Sequence, residues 1–231
     1  MLVNKKVISM IPEGVSLSFE LIDDIDSINN HILGDTVRKI NVDNTKKSVY
    51  RSEKQRNSNS GLIVQSGPNR YIIISDYLEL DDGDVFSDHS FKFLELSAID
   101  THRVVSMRGM FRNCSAECID ISGWTTKQVK DTSEMFESAS IRMCSLDLTK
   151  FDFSSVVSMH AMFRNSVIKN DILVPRQGLS IGLNITDIGE MFDYSDLNLS
   201  NNRIVLHRDV VGSDEIAMNS TISEIVIEVL E

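Results

Sequence analysis

Apolar residues along this chain follow two periods, and the change between them falls near residue 75. Before it, Val15–Leu21 (VSLSFEL) alternates apolar and polar, the period of a half-buried strand, and Thr36–Val42 alternates again. A short helix is expected from Asp24 to about Leu33, with acidic residues in its first turn and Gly34 as its stop. Leu62–Gln65 and Tyr71–Ile74 flank Ser66-Gly67-Pro68-Asn69 and predict a hairpin. Arg51–Gly61 (RSEKQRNSNSG) carries no large apolar residue and reads as a mobile loop. Together these predict a small α+β domain over residues 1–75.

From about residue 76 the pattern becomes an internal repeat around the dipeptide Met-Phe. It ends at Phe111, Phe136, Phe163 and Phe192, with spacings of 25, 27 and 29 residues. Periods of this length mean stacked units. Each unit opens with an apolar-x-apolar stretch: Leu78-Glu79-Leu80, Leu94-Glu95-Leu96, Ile119-Asp120-Ile121, Leu146-Asp147-Leu148, a looser Ile172-Leu173-Val174, and Leu197-Asn198-Leu199. These read as short strands with the middle residue turned outward. In the Met-Phe segments apolar positions recur every three or four residues, as in Val104, Met107 and Met110/Phe111, which is helical spacing. The predicted unit is a strand, a turn, a short helix and a return. Stacked, the units give an α/β solenoid of parallel strands and short helices over residues 76–231, closed by a C-terminal capping strand. Its predicted core is Met110, Phe111, Trp124, Met135, Phe136, Phe151, Met162, Phe163, Met191 and Phe192. Cys114, Ala139, Ser166 and Ser195 share the position three after each phenylalanine, so Cys114 reads as a space-filler.

The stretches Ile121–Ala139 (ISGWTTKQVKDTSEMFESA) and Leu146–Ser166 (LDLTKFDFSSVVSMHAMFRNS) resemble the BspA-like leucine-rich repeat family. The resemblance covers about residues 95–200. It implies a leucine-rich-repeat-like solenoid, of the kind found on bacterial surface proteins that bind host proteins, in protist surface proteins, and in phage and viral proteins. The insert Pro175–Gly182 (PRQGLSIG) is expected to bulge from one edge.

Charge narrows the choice. The net charge is −11, and residues 61–231 hold fourteen Lys/Arg against twenty-six Asp/Glu. Such a surface repels phosphate backbones and attracts basic proteins. Glu79, Glu95, Asp120 and Asp147, and after a break Asn198, are expected on neighbouring strands as an acidic ladder, the candidate partner-binding face. A second column, Arg112, Glu137, Arg164 and Asp193, alternates in sign and predicts ion pairs between units.

No catalytic residue, metal site or cofactor is assigned. The histidines 31, 89, 102, 160 and 207 show no ligand spacing, and Asp81-Asp82-Gly83-Asp84 lacks an EF-hand pattern. Three cysteines, Cys114, Cys118 and Cys144, read as reduced thiols. No stretch has the make-up of a signal peptide or of a membrane span, and a cytoplasmic setting (host cytoplasm, or a virion if phage-encoded) is expected. The leading expectation is a non-enzymatic protein-interaction protein whose acidic repeat surface docks a partner, possibly basic. The alternatives are an acidic inhibitor of a nucleic-acid-binding enzyme and a fragment of a surface adhesin.

Overall fold

The structure, a computed structural model, describes residues 2–9, 11–22, 37–40, 59–66, 69–75, 79–97, 99–176, 179–180, 184–199, 203–207 and 226–230. The expected helix at Asp24–Leu33 and most of the 51–61 loop lie outside them. The molecule is a parallel-strand solenoid that is mainly sheet. Among the described residues the only α-helix is Lys5–Ile8, capped by the Asn4 side chain.

The sheet runs without interruption through both halves of the chain. In the repeat, Ser90–Glu95 pairs in parallel with Ser115–Asp120, then Ser140–Ile141, then Val167–Leu173, then Asp196–Leu199. Leu146–Asp147 joins the far half of Val167–Leu173. On the other side Val15–Ile22 pairs in parallel with Ser90–Glu95 and antiparallel with Asn59–Ser66. Asn59–Ser66 and Asn69–Ser75 form the expected hairpin, with Ser66 opposite Asn69, and Val37–Ile40 closes the order. Asn59–Gly61, assigned above to a loop, belongs to this sheet. The insert Pro175–Gly182 is also not a plain bulge: its Leu179–Ser180 pairs with Ile204 and Val205, which in turn pair with Ile227 and Glu228.

The Met-Phe segments are not helices, and the reason lies in where their N–H groups go. In a helix every interior N–H bonds four residues back within the same segment. Here the N–H groups of Met107, Gly109, Phe111 and Asn113 bond across to the carbonyls of Asp131, Ser133, Met135 and Glu137 in the next coil, at 2.8–3.0 Å. The residues between them, Met110, Arg112 and Cys114, bond back three positions to Met107, Gly109 and Phe111. The same alternation recurs one coil on, where Phe136 and Phe163 donate to Met162 and Met191 at 2.8 Å. Isolated parallel bridges Ser106–Asp131–Ser158–Asp187 mark this second side of the coil. Apolar spacing of three and four suits both arrangements, so periodicity alone could not separate a helix from this arc.

The alternation needs left-handed residues at fixed places. Positions two before each phenylalanine (Gly109, Glu134, Ala161, Glu190) and two after (Asp88, Asn113, Ser138, Asn165, Tyr194) have φ between 53° and 62°. Left-handed backbone costs an ordinary residue about 1–2 kcal/mol. Asp and Asn tolerate it best, and they hold three of the five later sites. At Gly109 a Cβ would also displace the Asp84 carboxylate, 2.2 Å away, and disturb its ion pair with Arg112.

The arcs stack the phenylalanines into one column. Neighbouring rings in the series Phe86, Phe111, Phe136, Phe163 and Phe192 lie 5.1–5.6 Å apart and within 11° of parallel, all five fully buried. The first ring is a further copy, Val85-Phe86, in which valine replaces methionine. Trp124 stacks on Phe111 at 5.8 Å and its indole N–H donates to the Leu96 carbonyl. All ten residues expected in the core are buried.

A polar pair repeats inside this core. Thr101 Oγ1 donates to the Thr125 carbonyl and accepts from the Thr125 N–H, and Thr126 does the same with Asp152. Each buried hydroxyl is thus satisfied by the backbone of the next coil.

The three thiols are not all reduced. Cys118 and Cys144, on adjacent coils and 26 residues apart, form a disulfide with Cα atoms 5.2 Å apart. Cys114 is the buried space-filler expected, and desolvation pushes its thiol up to about 12.

Candidate interaction surface

The outer face of the sheet carries the candidate residues, and its layout follows from bulges. In Ser90–Glu95 the buried residues are Phe91 and Leu94, three apart, so Lys92 and Phe93 both turn outward. Against Val15–Ile22 this appears as a register shift of one residue, the mark of a β-bulge. Ser115–Asp120 repeats it in register: Ala116 and Ile119 are buried, and Glu117 and Cys118 face out. In the next coil the interruption is larger. Arg142 and Met143 still donate to the Ala116 and Glu117 carbonyls, then the chain bulges through Cys144 and Ser145 before resuming at Leu146. This bulge absorbs the two extra residues of the 27-residue unit.

Two outward residues per strand arrange the face into rows along the solenoid. Lys92 leads one row, which continues through Glu117 and Arg142 to Lys169, the neighbour of Arg142 by register. Phe93 leads the second, followed by the Cys118–Cys144 disulfide, with Met143 at its end. Phe93 is 41% exposed and Met143 65% exposed, large values for such side chains. Glu95 and Asp120, direct register partners, lead the third row, with Asp147 one coil further. At the first row lies a cleft of about 230 Å³, lined in part by Gly14, Lys92, Glu117 and Arg142.

The acidic ladder is therefore shorter than expected from sequence. Glu95 and Asp120 are brought together. Asp147 has its register partner on its far side, Leu173, because pairing with the previous coil lapses at the bulge. Glu79 lies outside the row, in a separate two-stranded parallel sheet with Leu2–Val3. Asn198 is displaced by two residues: Leu199, not Leu197, aligns with Ile172 and so with Leu146. Its amide donates instead to Asp171 at 2.6 Å.

These aspartates also have local work. Asp120 Oδ1 accepts from the Ser122 N–H at 2.9 Å, and Asp147 Oδ1 accepts from both the N–H and hydroxyl of Thr149 at 2.9 and 2.6 Å. Asp100, Asp131, Asp152 and Asp187 form the same contact two residues on. The side chain mimics a backbone turn, so aspartate is favoured wherever the coil must change direction. At Asp120 and Asp147 the contact with the backbone N–H uses one oxygen and keeps the carboxylate charge on the face. At Asp152 the hydrogen bonds from Ser154 hold the carboxyl below its usual 3.8.

The second charged column pairs in part as expected, through Arg164 and Glu137, and in part with acids outside the column. Arg164 binds Glu137 of the coil before and Glu190 of the coil after. Arg112 binds not Glu137 but Glu134, at 2.8 Å, and Asp84. The acids on the following coils sit at the left-handed site two before phenylalanine, a position invisible to a column count.

Sequence reasoning missed the cationic row, the exposed Phe93 and Met143 and the disulfide. Their signal is the spacing of Phe91 and Leu94, which breaks strict alternation. Among the described residues no three His, Cys, Asp or Glu side chains cluster as a metal site, and no helix is long and apolar enough to cross a membrane.

Residues 83–174 match the family described as Mycoplasma protein of unknown function, DUF285, which is related to BspA-like repeats. The matched segment starts at Gly83, within the coil of the extra Val85-Phe86 copy. No curated protein matches the chain significantly, and no solved structure does either.

Proposed function

We propose that this chain is a non-enzymatic protein-interaction solenoid of the BspA-like leucine-rich repeat kind, and that it docks a protein on the outer face of its sheet. The observation that carries the reading is the row layout, in which an exposed apolar strip runs between a row rich in cations and a row of carboxylates. Docking surfaces combine an apolar centre with a polar rim in this way. The bulges that create the rows are spent on outward display, since they weaken the sheet's own pairing. Cys114 is no candidate nucleophile, because it is buried and burial pushes its thiol up to about 12.

The mixed charge of the face favours a protein partner over the acidic-inhibitor alternative, which calls for a continuous negative surface. The Cys118–Cys144 bond favours an oxidising compartment over the cytoplasm, because structural disulfides persist where thiols are not kept reduced. A matched pair of baits tests the reading: the wild-type chain and E95K/D120K/D147K, each offered the same protein extract. Proteins retained by the first and lost on the second, with salt-sensitive elution, are expected. Identical retention on both would contradict an acidic contribution to docking.

A further inference from the structure

Resting on the sheet-face reading above, we propose that the partner the face fits is a second copy of the same chain, docked by a two-fold axis running along the rows.

The argument is one of symmetry. Across the strands the order of rows is cationic, apolar, acidic. A two-fold axis lying in the interface and parallel to the rows carries each row to the opposite side of the centre. The cationic row of one copy then faces the acidic row of the other, and apolar faces apolar. An axis perpendicular to the rows would set like charges against each other, which costs several kcal/mol. Only the first arrangement is self-complementary, and an isologous interface of this kind is the commonest form of assembly.

The residues follow from the register. Lys92 of one copy faces Glu95 of the other, and Arg142 faces Asp147, because each pair lies on one coil. Phe93 meets Phe93, and Met143 meets Met143. The cation of Lys92 already lies 5.6 Å from the centre of its own Phe93 ring, so this end of the strip presents an aromatic pair flanked by charge. Glu117 is the exception, facing Asp120, and it sits between Lys92 and Arg142, which offset it. The rows span the four coils from Ser90–Glu95 to Val167–Leu173. At about 4.8 Å spacing and about 20 Å width they present roughly 400 Å² per copy, the size of a weak, concentration-dependent contact.

The test is sedimentation equilibrium of the full, disulfide-intact chain over a range of concentrations. The wild type is expected to form dimers. K92E/R142E turns both outer rows acidic and E95K/D147K turns both basic, and each should weaken self-association by at least about tenfold. Mixing the two variants should restore a dimer, because every acidic row then finds a basic one. The exchange variant K92E/R142E/E95K/D147K should dimerise alone. The four substituted side chains lie on the outer face, Asp147 half-exposed and the others exposed, and circular dichroism checks that each variant is folded. A wild type that stays monomeric at the highest concentration, or a mixture that fails to recover the dimer, overturns the proposal. A monomer that still retains partners in the matched-bait experiment would overturn the second-copy inference and leave the sheet-face reading standing.

Discussion

The two sides of each coil solve the same stacking problem in opposite ways. On the arc side the coils of Phe111, Phe136 and Phe163 repeat one hydrogen-bond scheme, one pair of left-handed sites and one buried phenylalanine. On the strand side no two repeat coils are alike: one carries Lys92 and Phe93, the next Glu117 and Cys118, the third a bulge through Ser145. The arc repeats because its geometry leaves little choice of residue. A ring displaced from the column loses stacking on two neighbours, and an arc residue that leaves the left-handed region loses a bond to the next coil. The strand side tolerates bulges, since its inward residues, Phe91, Ala116, Ile119 and Leu146, keep the core filled. Freedom of sequence on the outside is what allows a surface to be shaped for recognition.

Breaking the arc should have the largest effect. Phe136 is fully buried between Phe111 and Phe163, and Phe136→Ala should cost about 3–5 kcal/mol, measured by denaturant unfolding. A phenylalanine at the end of the column, Phe192, has one ring neighbour among the described residues and should cost less. Equal losses would contradict nearest-neighbour stacking.

The strand-side disulfide comes next. Closing a loop of 26 residues stabilises by about 3–4 kcal/mol on the chain-entropy account, so C118S/C144S should lower stability by that order while leaving the arcs intact. A loss of the phenylalanine-column packing signal in near-ultraviolet circular dichroism would show that the bond instead holds the core. Gly123→Ala places a Cβ 1.9 Å from the Ser97 carbonyl oxygen, and Thr126→Val removes both bonds to Asp152. Each should cost about 1–3 kcal/mol by thermal unfolding.

Surface charge should matter least to stability. Arg164→Ala removes half-exposed ion pairs and should change unfolding free energy by about 0–1 kcal/mol. The carboxyl of Asp88 is held below its usual 3.8 by hydrogen bonds from Asn113 and Lys5. A depressed carboxylate contributes its stabilisation above the unfolded pKa and loses it as pH falls through the folded one. Asp88→Asn should therefore lower stability at neutral pH and flatten the loss below about pH 4, as read from unfolding at a series of pH values.

Much of the arc was legible in the sequence, because repeated apolar residues at near-constant spacing reveal a stack whatever its local backbone. What stayed hidden was the backbone itself, since helix and arc share a spacing of three and four. Val85-Phe86 escaped because valine stands where methionine does elsewhere, although its 25-residue offset from Phe111 fits the period. The strand side was legible only in part. Alignment by apolar-x-apolar placed Glu95 beside Asp120 correctly, yet bulges of one or two residues moved Asn198 out of the row. Cys118 precedes Ile119 by one residue and Cys144 precedes Leu146 by two, so the sequence register sets them on adjacent coils but one residue out of alignment, and the bulge at Ser145 makes up the difference.

The most direct test of the division between a structural arc and a recognising face is amide hydrogen exchange on the wild-type chain, compared between dilute and concentrated solution. Added protection at 90–95, 115–120 and 140–147, with the arcs at 107–113, 132–138 and 159–165 unchanged, is the predicted result. Concentration-dependent protection of the arcs, with none on those strands, would contradict it.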